Sequence, residues 1–499
     1  MHAGHGSGSG RTPLETSLSV ERAARLVDDL VKLLGPAGVV ADRERLSTYE
    51  SDGLALFRQA PWLVVLPRDT AQAARAMARL WAEGLAIVPR GAGTGLSGGA
   101  TAVQGGAVVS TARMRDLLEL DAENRFARVQ AGLVNAHLSK ACARHGLFYA
   151  PDPSSQQACT LGGNFANNSG GPHCFKYGST VRHVLGLVAV DARGDVLDLS
   201  EPRLDPLGLD LVGVLTGSEG TLVLATELTL RLLPTPERTE TLLAVFGKLG
   251  QACDAVSDLI ARNLEPSAIE ILDRLTIEAV EASVYRAGYP LDADAVMLLD
   301  VEGSAAEVEE LVEELEAVLV ANGGRDLRRA STALERKRLW AGRKGAFGAM
   351  GRVAPDLYVT DAVVPRTRLA ELVAGTAEIC RELGLKLANV FHAGDGNLHP
   401  NICYDGRDAD EVARVLEAGH RIQDLCLAAG GALSGEHGLG LEKRDGMCAL
   451  YNQADLDAMA ILRNAFDPER RMNPDKLLPT RPCMELRTAP PRRPNEVRG

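Results

Sequence analysis

The sequence predicts an α+β protein with more than one domain, and three observations carry this prediction. Residues 62–88 show the apolar pattern of a strand, a helix and a second strand. Residues 241–330 show the pattern of a βαββαβ unit, the order found in ferredoxin-like sandwiches. With 499 residues, the chain is also too long for one ordinary hydrophobic core. Two or three domains are therefore expected.

The individual elements follow from their periodicity and their end signals. Ser19 is placed to cap a first helix, which Gly35 and Pro36 end. The pattern then predicts strands at 62–66, 85–88, 107–111, 127–131, 185–190 and 227–232, helices at 70–83 and 134–145, and an irregular stretch at 151–178. In the second half it predicts strands at 242–246, 268–272, 296–301 and 326–329 and helices at 250–263 and 305–322. From about residue 331 the chain returns to alternating helices and short strands.

The composition excludes several classes of protein. The hydrophobic fraction of 45% and the charged fraction of 24% are typical of a soluble globular protein, and the net charge of −12 argues against a nucleic-acid binder. No run approaches the ~18 apolar residues that span a bilayer. The first ten residues, MHAGHGSGSG, lack the apolar centre of a signal peptide. Nine scattered cysteines without a CxxC pair indicate a reducing cytoplasm and no iron–sulfur cluster in this chain.

Two histidines bracket a turn late in the chain, in the octapeptide His392-Ala-Gly-Asp-Gly-Asn-Leu-His399. Residues 385–391 predict a strand that ends at His392, and the glycines after it favour a sharp turn that brings both imidazoles together, as a divalent metal requires. A second glycine-flanked turn adds Glu436 and His437. His392, His399 and Glu436 are therefore a candidate metal site. The alternative is a tight turn with inert histidines.

A glycine-rich loop follows the strand at 85–88. Its segment Gly93-Thr-Gly-Leu-Ser-Gly98 matches GxGxxG, but a Rossmann site also needs a helix to begin within the motif. Here the chain continues into a strand, so the loop is predicted to bind a diphosphate through its amides, assisted by Arg90, Thr94 or Ser97. A hairpin connection is the alternative, but seven glycines within residues 91–106 exceed what a turn requires.

Two more loops of this character lie at 151–171 and 215–221. Their small residues would let a large planar ligand approach the backbone closely. Each loop alone is a weak signal, whereas three in order within one predicted domain favour a shared ligand.

Six segments together resemble the FAD-linked D-2-hydroxyacid dehydrogenases of the vanillyl-alcohol oxidase superfamily, in particular its glycolate oxidase D subunit and D-lactate dehydrogenase group. They are residues 90–99, 160–171, 215–221, 392–399, 435–441 and 472–476. The resemblance runs from about Ala37 to Pro479. It implies a two-part FAD-binding domain, a ferredoxin-like substrate domain or cap, and a C-terminal segment that packs back on the FAD-binding domain. We place these at residues 19–236, 237–440 and 441–479, between flexible tails at 1–18 and 480–499.

The resemblance also implies roles for single residues. His437 would be the base, Arg343 would pair with the substrate carboxylate, and Asn401 matches a substrate-site asparagine. His392, His399 and Glu436 would bind a divalent metal, zinc in these relatives. The residues that would hold FAD are Arg90, Gly91, Ala92, Gly93, Thr94, Gly95, Leu96, Ser97, Pro151, Ser154, Gly162, Gly163, Ser169, Gly170, Glu219 and Asn473.

Two positions depart from part of this family. Relatives that act on D-2-hydroxyglutarate resemble this chain but hold the second carboxylate with a lysine and a threonine, where this chain has Val359 and Phe347. An apolar pair there favours a short or apolar 2-hydroxy acid such as glycolate or D-lactate. The metal is less general, because some relatives of the glycolate and lactate group are described without one.

The implied reaction oxidises a 2-hydroxy acid to the 2-oxo acid, with hydride transfer to flavin N5. The metal would lower the pKa of the substrate hydroxyl, and His437 would accept its proton. Each role has a simpler alternative. Arg343 lies in the basic run 336–344, which is typical of a surface, and His437 would otherwise be a third metal ligand. His173 and His183 lie near the second loop, but buried, hydrogen-bonded histidines are commoner than flavin contacts.

Two other functions stay open at this point: a zinc hydrolase, which would leave the three loops unused, and a non-catalytic subunit, which the presence of His437 and the ligands disfavours. The chain has no cluster or haem motif to receive electrons. The expected acceptor is a partner subunit with an iron–sulfur cluster, a quinone or a cytochrome. We expect no nucleic-acid partner and at most peripheral membrane association, through a partner. The sequence leaves the oligomeric state open.

Overall fold

The computed structural model describes residues 18–202, 208–330, 332–481 and 483. Most of the predicted tails, 1–18 and 480–499, lies outside the described residues. Leu18 is an exception, since it is buried in the core beneath the first helix. The domain boundaries proposed from the sequence stay predictions.

The N-terminal domain contains two main sheets, with helices packed between and around them, and one short two-stranded sheet. Its helices are α1 (Val20–Leu34), α2 (Arg43–Leu46), α3 (Thr70–Ala82), α4 (Asn135–Ala143), α5 (Leu161–Asn167), α6 (Cys174–Tyr177) and α7 (Leu211–Leu215). Its strands are β1 (Val39–Val40), β2 (Leu63–Val65), β3 (Ile87–Arg90), β4 (Ala107–Ser110), β5 (Leu117–Asp121), β6 (Phe126–Gln130), β7 (Leu147–Phe148), β8 (Val184–Val190), β9 (Val196–Leu199), β10 (Leu224–Arg231) and β11 (Leu233–Pro234).

The first sheet has the order β1-β2-β4-β3, with β4 parallel to both β2 and β3. Helix α1 begins where the Ser19 hydroxyl accepts a hydrogen bond from the Arg22 amide at 3.4 Å, and it ends at Gly35, whose φ of 76° favours glycine. The second sheet is antiparallel, with the order β5-β6-β10-β8-β9. These two sheets correspond to the predicted two-part domain.

The cap domain contains one extended sheet covered by helices. Its strands are β12 (Arg238–Phe246), β13 (Ala268–Asp273), β14 (Ala295–Gly303), β15 (Arg325–Arg329), β16 (Asp356–Val359), β17 (Ala362–Val363), β18 (Lys386–His392), β19 (Asn397–Leu398) and β20 (Pro400–Tyr404). Its helices are α8 (Leu249–Ala261), α9 (Arg274–Glu281), α10 (Ala305–Ala321), α11 (Ala333–Lys344), α12 (Ala346–Met350), α13 (Leu369–Glu382) and α14 (Ala409–Ala428).

Four strands of this sheet have the order β15-β12-β14-β13 and are antiparallel, which confirms the predicted ferredoxin-like unit. The sheet then continues through β18, which pairs with β13 so that His392 faces Glu270 across the ladder. The ferredoxin-like unit thus pairs with the strand on which His392, the first histidine of the candidate metal site, lies.

The C-terminal segment, with α15 (Met447–Leu450) and α16 (Gln453–Phe466), packs back on the first sheet. The Ile87 amide donates to the Arg471 carbonyl at 2.8 Å, and the Asn473 amide donates to the Ile87 carbonyl at 2.7 Å. Cys448 and Cys483 form a disulfide in this region, a pairing that the cysteine pattern did not predict.

The stretch 151–178 is less irregular than predicted, because α5 and α6 form within it. The Thr160 hydroxyl caps α5 by accepting from the Gly163 amide at 3.2 Å, and Leu161, Asn164 and Phe165 are buried on one face of that helix. The prediction was wrong here because burial and a cap outweigh the low helix propensity of glycine and asparagine.

Gly132 has no room for a side chain. A Cβ atom there would lie 1.9 Å from the Thr111 carbonyl oxygen, which is backbone and cannot move aside locally. We expect Gly132→Ala to lower the free energy of unfolding by about 1–3 kcal/mol, the usual range for overpacking. Gly250→Ala is the control, because a Cβ at Gly250 would meet nothing within 4 Å. Thermal unfolding followed by circular dichroism compares the two; equal midpoints would contradict the expectation.

Candidate active site

Two histidines and a glutamate meet at one carboxylate oxygen. The Nε2 atoms of His392 and His399 each lie 3.1 Å from Oε1 of Glu436. The two imidazole rings are perpendicular, with centroids 5.1 Å apart, and both are almost fully buried. Two imidazole nitrogens and a carboxylate within this distance are a donor set that suits zinc.

A second layer of buried charge holds His392. Its Nδ1 lies 2.6 Å from Glu270 Oε1, and the other Glu270 oxygen accepts from Arg343 Nε. Both Glu270 and Arg343 are fully buried. A carboxylate on the far nitrogen of a histidine is the usual support of a metal ligand, because it fixes the ring orientation and leaves the other nitrogen free.

The turn that carries Glu436 is organised by one carboxylate, that of Asp361. Its Oδ2 accepts from the Ser434 hydroxyl at 2.6 Å and from the amides of Gly435, Glu436 and His437 at 2.9, 3.1 and 2.9 Å. The His437 ring stacks on His399, with centroids 4.7 Å apart and an 8° angle between the planes. Asp361 therefore sets the positions of both Glu436 and His437.

A cavity of about 490 Å³ joins this cluster to the glycine-rich loops. His399, Glu436 and His437 line it from the cap side. Among the residues predicted to hold FAD, those on the cavity wall are Arg90, Gly91, Ala92, Gly93, Thr94, Gly95, Leu96, Ser97, Ser154, Gly162, Gly163, Ser169 and Glu219. All three glycine-rich loops of the sequence therefore open into one space, beside the histidines.

Other predicted residues lie behind the wall of this cavity. Asn473 donates to the carbonyls of Gly99 and Glu219 at 3.0 and 2.7 Å. Pro151 accepts from the Asn135 amide group at 2.9 Å. These residues support the wall.

On the cap side, three predicted residues also lie behind the cavity wall: His392, Arg343 and Asn401. The side-chain amide of Asn401 donates to the His399 carbonyl at 2.6 Å. Arg343 Nη1 and Asn401 Oδ1 are buried without a hydrogen-bond partner among the described residues.

Two glycines allow close approach of backbone segments. A Cβ at Gly91 would lie 2.4 Å from the Thr160 hydroxyl, so the first two loops touch at this point. A Cβ at Gly170 would lie 2.7 Å from Glu436 Oε2, so the second loop touches the histidine cluster. A side chain at either position would force its neighbour to move, so glycine permits both close approaches.

The histidine turn is also tied to the N-terminal domain. Glu219 accepts from the amides of Leu439 and Gly440 at 2.7 and 2.8 Å, and the His437 carbonyl accepts from Ser97 Oγ and Asn167 Nδ2, both at 3.1 Å. The glycine-rich loops and the turn therefore form one hydrogen-bonded unit.

Arg90 braces the first loop from below. Its Nη1 donates to the Ser51 carbonyl at 2.9 Å, and its guanidinium lies 5.6 Å from the Tyr49 ring centroid. Gly93 packs against this guanidinium so closely that a Cβ there would overlap it.

A chain of alternating charges crosses from one domain to the other. Asp152 Oδ2 lies 3.3 Å from Lys344 Nζ and 3.1 Å from His173 Nδ1, and His173 Nε2 lies 3.5 Å from Asp300 Oδ2. Trp340 donates to Asp300 Oδ1 at 2.9 Å and lies beside the His173 ring. His173 does not line the cavity and acts as a structural cation between two carboxylates.

Several pKa values in the site differ strongly from those of the same groups in water. Burial favours the neutral imidazole of His392, yet the carboxylates of Glu270 and Glu436 raise its pKa well above the usual range. Burial, assisted by His399 and Lys443, lowers the pKa of His437 to about 4. Burial raises the pKa of Asp395 to about 6, and its Oδ1 stabilises the turn by accepting from the Asn397 amide at 3.2 Å.

Sequence reasoning missed Glu270, Asp361 and Asp152. A signal for the first existed, because Glu270 interrupts the apolar strand Ala-Ile-Glu-Ile-Leu at a position that the strand buries. Charged residues almost never lie there unless they are paired. Asp361 sits likewise in an apolar stretch, Val-Thr-Asp-Ala-Val-Val.

Comparison with known proteins identifies the family. Residues 235–477 match the model of the FAD linked oxidases, C-terminal domain, and residues 61–200 match that of the FAD binding domain. The chain is 44% identical to glycolate oxidase subunit GlcD of Escherichia coli strain K12 over 437 residues, which cover 88% of this chain and 87% of the relative. The chain belongs to the FAD-linked oxidases. This confirms the family and the FAD cofactor that the sequence motifs implied.

Other members of the family also match this chain over most of its length and most of their own. Glycolate oxidase subunit GlcD of Bacillus subtilis strain 168 is 36% identical over 451 residues, covering 90% of this chain and 96% of the relative. D-lactate dehydrogenase of Archaeoglobus fulgidus is 32% identical over 425 residues, covering 84% and 91%. The zinc hydrolase hypothesis is not favoured by any of these relatives.

Solved structures confirm the fold class of this FAD-linked oxidase. p-Cresol methylhydroxylase matches with a TM-score of 0.76 at 15% identity, over 93% of this chain and 98% of that one. Alkyldihydroxyacetonephosphate synthase matches with a TM-score of 0.73 at 20% identity, over 91% and 86%. Within the described residues, no helix combines the length and the apolar character needed to cross a bilayer.

The charged His173 predicts a specific pH dependence of stability. Burial alone would lower the pKa of its imidazole, but Asp152 and Asp300 raise it to about 10 from a usual value of 6.5. Its contribution to stability is therefore complete below pH ~6.5 and is lost as the pH rises through ~10. We expect His173→Gln to lower the thermal midpoint by several degrees at pH 6 and by progressively less toward pH 10. His137→Gln, at an exposed position, is the control; a pH-independent deficit in His173→Gln would contradict the expectation.

Proposed function

We propose that this FAD-linked oxidase oxidises a D-2-hydroxy monocarboxylate, such as glycolate or D-lactate, to the 2-oxo acid. The single observation that carries the proposal is the shared cavity, in which the FAD-domain loops face His399, Glu436 and His437. The relatives named glycolate oxidase subunit and D-lactate dehydrogenase support the same chemistry. The cap wall of the cavity is apolar at Phe347, Leu357 and Val359, which favours a substrate without a second charge.

Bound FAD supplies the hydride acceptor, flavin N5. The loop Gly91–Ser97 would hold the diphosphate through its amides. Arg90 braces this loop through the Ser51 carbonyl, and the Ser97 hydroxyl at its end donates to the His437 carbonyl. Such preorganisation lowers the entropic cost of binding.

His392, His399 and Glu436 would hold a divalent metal, for which zinc fits the donor set. The metal would act as a Lewis acid toward the hydroxyl and carboxylate of the substrate. Glu270 supports this assignment, since a buried carboxylate on His392 Nδ1 orients Nε2 toward the ligand position.

His437 accepts the proton of the substrate hydroxyl. It lines the cavity, and its lowered pKa, near 4, keeps the ring neutral and able to accept a proton at neutral pH. Arg343 would bind the substrate carboxylate through Nη1, a buried donor without a partner among the described residues. The same argument applies to the Asn401 Oδ1 acceptor, because unpaired buried polar atoms are costly unless a ligand completes them.

The reaction would also need an electron acceptor other than oxygen. We propose a partner subunit with an iron–sulfur cluster, a quinone or a cytochrome, in line with relatives that are named as a subunit of glycolate oxidase. A cytoplasmic location stays a prediction, made because the scattered cysteines indicate a reducing compartment, and membrane association is expected only through such a partner. The Cys448–Cys483 disulfide is an exception to that cysteine pattern.

Anaerobic flavin reduction tests the function directly. The FAD-loaded protein should lose its flavin absorbance when D-lactate or glycolate is added without oxygen. His437→Ala should keep its FAD and reduce it at least 100-fold more slowly, the usual scale for loss of a general base. A wild-type protein that carries FAD but is reduced by no D-2-hydroxy acid would sink the proposal.

Metal analysis tests the three proposed ligands. We expect His399→Ala to lose at least tenfold in zinc affinity and to keep its FAD, because His399 touches the flavin cavity only at the cap side. His420→Ala is the control, since His420 is exposed on α14. Inductively coupled plasma mass spectrometry and flavin absorbance measure both contents; equal zinc in the two variants would remove His399 from the ligand set.

A further inference from the structure

We propose that Lys344 is a substrate-binding residue, which donates from its ammonium group to the carboxylate of the 2-hydroxy acid. This inference rests on the proposed function and assigns a specific cation to the anionic substrate. It adds a second donor beside Arg343, at a position that the sequence motifs did not single out.

Lys344 lies on the cavity wall, whereas Arg343 lies behind it. Lys344 is the last residue of α11 and keeps 29% of its side-chain surface exposed, while Arg343 is fully buried against Glu270. Among the described residues that line the cavity, two carry a lysine or arginine side chain, and these are Lys344 and Arg90. Arg90 belongs to the floor of the FAD loop, so Lys344 is the cation available on the cap wall.

The neighbours of Lys344 indicate the substrate side of the cavity. Phe347, Leu357 and Val359 line the same wall, and the cap domain also contributes His399, Glu436 and His437. The opposite wall consists of the N-terminal loops that hold FAD. An ammonium group on an apolar cap wall of the cavity that also contains the proposed base is placed for the one charged group of a 2-hydroxy monocarboxylate.

Asp152 holds the Lys344 ammonium in position. The Nζ–Oδ2 distance is 3.3 Å, and the same Oδ2 atom is also bound by His173. A carboxylate shared between two cations is a weaker partner for each, and an ammonium group has three hydrogen atoms to donate. Lys344 therefore keeps donors for a ligand while its stem stays oriented.

The test measures binding of an unreactive anion apart from catalysis. Oxalate binding to the FAD-loaded protein is titrated through the flavin absorbance, and anaerobic reduction by D-lactate or glycolate gives an apparent dissociation constant and a limiting rate. The variants are Lys344→Met, Lys344→Gln and Lys344→Arg. Lys337→Met, at an exposed position of the same helix, is the matched control.

We expect Lys344→Met to weaken oxalate and substrate binding about 10- to 100-fold, the range of a charge-assisted hydrogen bond. Its limiting rate should stay within about threefold of the wild type, because proton transfer is the task of His437. Lys344→Arg should recover most of the affinity, and Lys337→Met should match the wild type.

Several outcomes would overturn the proposal. One is a Lys344→Met protein that carries FAD and binds oxalate as tightly as the wild type. Another is a variant that changes only the flavin spectrum or midpoint potential, since the ammonium would then face the flavin. If Lys344→Met fails to hold FAD, the comparison passes to Lys344→Gln, which lacks the positive charge, and Lys344→Arg, which keeps it. Equal oxalate affinities of these two variants would show that the charge does not contact the anion. Failure of the proposed function is distinct, because the wild-type flavin would then not be reduced at all.

Discussion

The buried carboxylate of Asp361 is the interaction on which the site depends. One oxygen accepts from a hydroxyl and three consecutive amides of the turn at 434–437, and Lys443 Nζ lies 3.7 Å away. Burial alone would raise the pKa of Asp361, but His437, Lys443 and His399 hold it below the usual range. A buried anion is costly unless it is paired or hydrogen-bonded, and the turn supplies four hydrogen bonds to Oδ2 by wrapping around it in one conformation. That conformation presents Glu436 to both histidines and stacks His437 on His399.

The same turn connects the two halves of the molecule. Its backbone binds Glu219, Ser97 and Asn167 of the N-terminal domain, and its side chains meet two histidines of the cap sheet. The hydrogen bonds of this turn therefore hold the glycine-rich loops and the histidine cluster in one relative position. For a reaction that passes a hydride between two bound molecules, fixed distance and orientation are a main part of what the protein contributes.

Local patterns allowed much of this to be predicted. Strand and helix positions in both domains followed from periodicity, and the ferredoxin-like order followed from their sequence. His392, His399 and Glu436 were predicted as a group because a glycine turn joins the two histidines and because glycines mark the second turn. Glu270 and Asp361 were not predicted, since their contacts span 122 and 75 residues, and no local pattern encodes such a pairing. Helix α5 was missed for a related reason, because buried Leu161 and Phe165 stabilise it against its own composition.

By itself, the sequence determined the fold class, the glycine-rich loops and the residue types available for chemistry, because turns, periodicity and spacing are local properties of the chain. Only the tertiary structure decided which charges are buried together. The register between β13 and β18 places Glu270 opposite His392, and the meeting of the domains places Lys344 beside Asp152. Electrostatic partners are chosen by distance in space, and in a folded chain that distance is set by packing between elements far apart in sequence.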